Sequence, residues 1–292
     1  MESNNLTKEN TIGIIIPIHP PKYKFIYNLV EKSNIINKCC DVILVFSNDL
    51  EYNQFQYKDV FKTLILPENY ISKNMVTFKK YYALRTLKQT YSYYIICDSE
   101  IDIIDENFTH ENVVEKIKTI FDGKTIFAGN IIFKNNTRVK LYSTVIEYSS
   151  GIFKSDEDKM KLKHLTNDYS LYYWWSDLPV VKGSHIDDFF SKINYDMDLD
   201  GHHFDHVIYL NYLLLYHNFK FTNITSLIGR NGSLESYTGN NIKDWELLKE
   251  NSCTFSWVVP KLFRVNKEYF LKNGTFLLYH LDRDSVFRKH CR

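Results

Sequence analysis

Three stretches of this chain, TIGIIIPIH (11–19), DVILVFSND (41–49) and YYIICDSE (93–100), are apolar on consecutive residues, not on every second one. A strand of that kind hides both faces, so it needs layers above and below it. A parallel sheet flanked by helices provides them, and an antiparallel sheet with one wet face does not. FKTLILPEN (61–69) reads as a further strand, halted by Pro67. Between them, KYKFIYNLVEKSN (22–34) sets Phe25, Ile26, Leu29 and Val30 at helical spacing, and NMVTFKKYYALRTLKQT (74–90) does the same with Phe78, Tyr81, Leu84 and Leu87. The order strand, helix, strand, strand, helix, strand predicts an α/β fold with a mostly parallel central sheet flanked by helices.

The second half is less regular. TIFAGNIIFK (125–134) and VKLYSTVIEYS (139–149) read as strands, and SDEDKMKLKHL (155–165) as a charged surface helix. SHIDDFFSKIN (184–194) reads as a helix that Ser184 caps, with Asp187 at the box position three residues on. HHFDHVIYLNYLLLY (202–216) is a helix with Phe204, Val207, Ile208, Tyr212 and Leu215 on one face, and WVVPKLFRVN and GTFLLYHLDRD close the chain. With 292 residues and no clean boundary, one domain is expected over 1–292. Residues 11–105 would form one half and 125–292 the other, sharing one continuous sheet, and the chain could itself be one domain of a longer protein.

Lys and Arg number 36 against 35 Asp and Glu, so no basic field exists to attract a nucleic-acid polymer. Five cysteines without a C-x-x-C spacing point to free thiols in a reducing compartment. No apolar run approaches the ~20 residues that span a bilayer, and the N-terminus MESNNLTKEN has no signal-peptide core. A cytoplasmic protein is expected. The Asn, Ile and Lys content suits an A/T-rich source, and host cytoplasm is meant if that source is viral.

Behind the strand YYIIC the chain changes character: Asp98, Glu100, Asp102 and Asp105 fall within eight positions. Like charges so close raise one another's pKa unless a cation sits among them. In an extended segment residues two apart point the same way, so Asp98 and Glu100, and Asp102 if the segment stays extended, can aim at one point while Ser99 turns aside. Paired hard oxygens at a strand end suit Mg²⁺ or Mn²⁺, leaving room for water and a diphosphate. A solvated acidic turn is the alternative. Ligands of open α/β sheets lie beyond the carboxyl ends of the strands, where His19, Ser47, Asn48, Asp49 and Asp98 to Glu100 should gather.

The stretch YYIICDSEIDI resembles the aspartate-x-aspartate motif of GT-A nucleotide-sugar glycosyltransferases. TIGIIIPIH resembles that fold's first strand, and FKKYYALRTLKQTYSYYIICDSE the helix and strand that lead into the motif. The likeness runs through residues 11–105 and departs at Glu100, which stands where the family has its second aspartate and can still ligate a divalent cation. The resemblance implies a UDP-sugar or related donor, a Mn²⁺ or Mg²⁺ ion, and transfer to a glycan, lipid-linked or protein acceptor. It implies Glu100 as the direct metal ligand, with Asp98 and Ser99 on the donor and Asp98 on ribose, metal or both. Pro17, Ile18 and His19 with Asn48 and Asp49 would hold the base. Lys80 and Arg85 would lie near the phosphates or the motif carboxylates, whereas Lys79 reads as a solvated helix position.

An acceptor hydroxyl attacked with inversion wants a carboxylate base, and Asp205, at the start of a helix as in inverting GT-A enzymes, is the choice, with Asp200 second. An ordinary first-turn acid is the competing reading of Asp205. His280 is the candidate third metal ligand, against a structural role at a strand end. Trp174 and Trp175 could stack on an acceptor sugar, against simple packing. His202 and His206 lack the glutamate of a metalloprotease helix. Two other functions stay open: a non-catalytic nucleotide- or carbohydrate-binding module on the same fold, and a sugar nucleotidyltransferase, which IPIHPPKYK disfavours because it has no glycine-rich loop.

Overall fold

The structure, a computed structural model, describes residues 11–67, 72–103, 108–130, 137–173, 180–195, 199–223, 256–257 and 278–280. Its first half alternates as the sequence leads one to expect. β1 (Ile12–Pro17) is buried at every position and runs through a 3-10 turn, Pro20–Lys22, into α1 (Tyr23–Glu31) and the short α2 (Ser33–Ile36). β2 (Asp41–Phe46), α3 (Asp49–Gln54), β3 (Lys62–Ile65), α4 (Met75–Thr86), β4 (Tyr93–Ile96) and β5 (Ile101–Ile103) follow. β1 is parallel to β2 on one side and to β4 on the other, with Ile14 opposite both Val42 and Ile95. Chain order therefore reverses between β1 and β4, and the crevice past their carboxyl ends is where an open α/β sheet takes its ligand.

The second half runs α5 (His110–Gly123), β6 (Thr125–Asn130), α6 (Thr137–Gly151), α7 (Asp156–Leu165), β7 (Leu171–Tyr172), β8 (Val180–Lys182), α8 (Ile186–Lys192), α9 (Asp205–Tyr216) and β9 (Lys220–Asn223). β10 (Ser256–Trp257) and β11 (Leu278–His280) are the last described elements. Of these described strands β8 alone enters the main sheet, antiparallel to β4, giving the order β3-β2-β1-β4-β8. The remaining described strands form two three-stranded sheets, β10-β11-β5 and β7-β6-β9, so the expected single continuous sheet is corrected to three. Gly183, directly after β8, donates its N–H to Ser92 O at 2.7 Å. A Cβ there would stand 2.4 Å from Tyr91 O, so only glycine lets the two backbones come this close.

Two local expectations fail for physical reasons. Residues 139–149 are not a strand but the body of α6. Val145, Ile146, Ser149 and Ser150 are buried at helical spacing, and Ser149 Oγ accepts the Phe204 N–H at 3.2 Å while Asn211 Nδ2 donates to Ser150 Oγ at 3.3 Å. Packing against α9 overrides the β-branched composition. Ser184 caps nothing: it lies inside a 3-10 turn, Gly183–His185, and α8 has no side-chain cap. α9 is buried at Asp205 and from Val207 to Leu214, a helix covered on all sides and not amphipathic.

Candidate functional site

The carboxyl ends of β1, β2 and β4 bring one group of charges together. Ile18, just past β1, is fully buried and its carbonyl accepts from Lys79 Nζ at 2.6 Å. Lys79 also faces Glu51 Oε2 at 3.3 Å. Glu51 sits at the third position of α3, where its carboxylate accepts the Ser47 N–H at 2.8 Å, while Asn48 Oδ1 accepts the Glu51 N–H at 2.9 Å. This reciprocal capping fixes the rim beyond β2 and occupies the Asn48 side chain; Asp49 is exposed in the same first turn. His19 lies beside this group, and its imidazole pKa is lowered by burial first and then by the Lys79 and Lys22 charges.

Lys80, one residue on, is the centre of the arrangement. Its Nζ lies 2.8 Å from Asp98 Oδ1 and 2.6 Å from Asp205 Oδ2, so one buried ammonium joins the end of β4 to the start of α9. The second contact is Coulombic, since among the described residues Asp205 Oδ2 takes no aligned hydrogen bond. Asp205 Oδ1 accepts the His206 N–H at 3.0 Å. Burial by itself would raise the Asp205 pKa, but the facing Lys80, helped by His206, outweighs it and holds the carboxyl well below the usual range. The same balance works on Lys80: burial opposes its charge, and Asp205 and Asp98 prevail to raise its pKa. Asp205 is thus a fixed anion.

The crowded acids have lysine partners. Asp98 is met by Lys80, Glu100 by Lys22 from the 3-10 turn, and Asp102 by Lys32 at 3.0 Å from beyond the end of α1. Ser99 is buried and its hydroxyl donates to Glu100 Oε2 at 3.0 Å. Lys22 and Lys32 stand at opposite ends of α1, about 15 Å apart at the helix rise, so Glu100 and Asp102 do not share one partner. Asp98 keeps 44% of its side chain in solvent and Lys22 keeps 32%, which leaves both approachable by a ligand.

The structure therefore brings Pro17, Ile18, His19, Asn48, Asp49, Lys80, Asp98, Ser99, Glu100 and Asp205 to one rim. It does not bring Arg85, whose guanidinium lies over the Tyr195 ring at 4.3 Å. Lys79, expected on a solvated face, is instead buried. Trp174, Trp175 and Asp105 lie outside the described residues. His280 is placed by its backbone alone: β11 pairs antiparallel with β5, and His280 is opposite Ile101, next to Glu100. Among the described residues no three His, Cys, Asp or Glu side chains gather as a metal site. Two hard carboxylates still suit a Mg²⁺ or Mn²⁺ ion that takes its other ligands from water and phosphate. Sequence reasoning missed Lys22 and Glu51; the Asn48-x-x-Glu51 spacing announced the second, and nothing local announced the first.

No family model and no curated protein matches this chain. Among solved structures it is similar to mannose-1-phosphate geranyltransferase from Thermus thermophilus, with a TM-score of 0.31 and 9% identity over 77% of this chain and 72% of that one. A likeness at that level says nothing about chemistry. Among the described residues no helix is long and apolar enough to cross a membrane.

Proposed function

We propose that the protein is a glycosyltransferase that takes a sugar from a nucleoside-diphosphate donor, a UDP-sugar by preference, and passes it to a hydroxyl of a glycan, lipid-linked or protein acceptor. The observation that carries this reading is the rim at the β1/β4 reversal, where Lys80 ties Asp98 to Asp205. The rim gathers Lys22, Lys79 and Lys80 against Glu51, Asp98, Glu100 and Asp205, so its own cations are already matched by carboxylates. A bare diphosphate would meet no surplus positive charge. Asp98 and Glu100, with His280 alongside in the β11–β5 register, would hold Mn²⁺ or Mg²⁺, which supplies the charge that a departing diphosphate needs. Pro17, Ile18 and His19 border the base position, Asn48 and Asp49 stand across from them, and Lys22 is the partly exposed cation beside the motif. Asp205 anchors Lys80 and, through it, Asp98.

A non-catalytic nucleotide-binding module is the second reading, and the lysine partner on each motif acid favours it. Calorimetry with UDP, with and without Mn²⁺, tests the first. Manganese should tighten UDP binding about tenfold or more, and Glu100→Gln should remove most of that gain. UDP affinity indifferent to manganese in the native protein would sink the metal-assisted reading. Slow release of UDP from a UDP-sugar separates the enzyme from the binding module.

A further inference from the structure

The loop that enters α9 carries a second pair of groups, apart from the lysine-paired acids. His202 Nδ1 lies 2.5 Å from Asp200 Oδ1, and the same oxygen accepts the His202 backbone N–H at 2.9 Å. Asp200 thus faces Nδ1–H and leaves the Nε2 lone pair pointing off the dyad, on a side chain that is 40% exposed. The neighbouring His203 takes the opposite tautomer. Its Nδ1 accepts the Asp200 N–H at 2.8 Å, and it is buried, so burial lowers its pKa and keeps it neutral. Adjacent histidines in one loop therefore play different parts: His203 packs, and His202 presents a carboxylate-oriented imidazole to solvent.

The loop is held in place. Asn74 Nδ2 donates to Asp200 O at 3.1 Å and His203 O at 2.9 Å, and Thr77 Oγ1 donates to His203 O at 3.1 Å. These contacts fasten it to the first turn of α4, the helix whose Lys80 lies about 9 Å further along at the helix rise and touches Asp98. On the open side stands Tyr148 of α6, its ring 5.2 Å from the His202 ring and 42% exposed. An exposed aromatic face beside an oriented imidazole is the pair of features a pyranose hydroxyl needs: a surface for its C–H face and a proton acceptor for its O–H.

The geometry assigns to His202, oriented by Asp200, the role of general base for the acceptor hydroxyl, with Tyr148 as the platform for the acceptor sugar. This rests on the donor reading above. Asp205, the base expected from its place in the chain, is buried against Lys80 and His206, whereas His202 can meet a substrate. In the inverting step the acceptor O–H proton passes to His202 Nε2. The oxygen electron pair forms the bond to the anomeric carbon, and the bond from that carbon to the diphosphate oxygen breaks with its electron pair leaving on the diphosphate. The imidazolium is stabilised by Asp200, whose own pKa is lowered by the His202 N–H and then by the His202 ring, and it returns the proton to water as product leaves. Among the described residues, the charged and titratable groups facing His202 are Asp200 and His203 from its own loop and Tyr148 from α6.

The test uses the full chain with UDP-glucose, UDP-galactose and UDP-N-acetylglucosamine, measuring UDP release and, separately, UDP affinity by calorimetry. His202→Ala should lower kcat about 100-fold or more while UDP affinity changes less than about twofold. Asp200→Asn should lower kcat about tenfold while UDP affinity changes less than about twofold, because the imidazole loses the carboxylate that orients it. His202→Gln guards against a folding effect. Native-like turnover in His202→Ala and His202→Gln overturns the assignment, as does a loss of kcat matched by an equal loss of UDP affinity in His202→Ala or Asp200→Asn. Failure of the native protein to bind UDP overturns the donor reading itself, and the dyad's role falls with it.

Discussion

At the N-terminal end of α9 Asp205 is buried as an anion against Lys80, 2.6 Å away. At the C-terminal end His217 lies as a flat ring on His185, with centroids 3.8 Å apart and planes 14° apart. Both ends draw ionisable groups out of water, and they do so by opposite means. The first keeps its charges and pairs them. The second keeps its rings neutral: His185 Nδ1 is 2.9 Å from Tyr209 OH, and its pKa is pushed down to about 4 by burial, then by His217 and Lys182, against a weaker pull from Asp188. His217 is lowered by burial first and by Lys182 and Lys124, with Asp188 opposing, and Tyr212 and Phe121 complete the aromatic wall. One helix therefore separates a centre of paired charges from an uncharged end suited to packing. Removing a partner should hurt the first end, and adding a proton should hurt the second.

The largest effect is expected from Lys80→Met, which leaves Asp205 and Asp98 without the ammonium that offsets their desolvation. A loss of about 3–5 kcal/mol in unfolding free energy by urea titration is the expected outcome. A loss below about 1 kcal/mol would mean that water reaches Asp205 and that the pair is not dry. Acidification probes the other end. His185 has a folded pKa below its unfolded value near 6.5, so its contribution is fully present above that value and is lost as pH falls towards about 4. That loss should amount to about 1–2 kcal/mol once partial solvent contact is allowed for, seen as a falling Tm between those pH values. The smallest effect belongs to His217→Phe. His217 Nε2 is buried without a hydrogen-bond partner among the described residues, so a ring of similar shape should cost under about 1 kcal/mol at neutral pH. The variant should also flatten the acid slope. An unchanged slope would place the titration elsewhere.

Much of the charged end was legible in the sequence. Consecutive apolar residues in 12–17, 42–46 and 93–96 demanded two-sided burial and found it in β1, β2 and β4. Placing Asp98 at a strand's carboxyl end followed from that, and so did the sheet rim it shares with His19 and Asn48. Ser155 as the cap of α7, accepting the Asp158 N–H at 3.3 Å, fits the charged helix expected there. The partners of the acids were not legible. Lys22 is 78 residues from Glu100, and in the sequence it is one lysine among many in a helix-leading segment. α6 escapes a reading by composition because valine, threonine and tyrosine outweigh the buried serines that let α9 approach, and serine carries no apolar signal. The neutral end left no trace, since His185 and His217 belong to different elements and meet only across the packed aromatic wall.

Local pattern alone determined the layered α/β architecture, the helices α1 and α4 beside the parallel strands and the rim where acids collect, because periodicity and chain direction act over a few residues. Tertiary structure alone decided which lysine neutralises which acid, that Asp205 is sealed while His202 stays open, and that two histidines share a neutral stack. Charge pairing and burial are properties of neighbours in space, and no spacing along the chain encodes them.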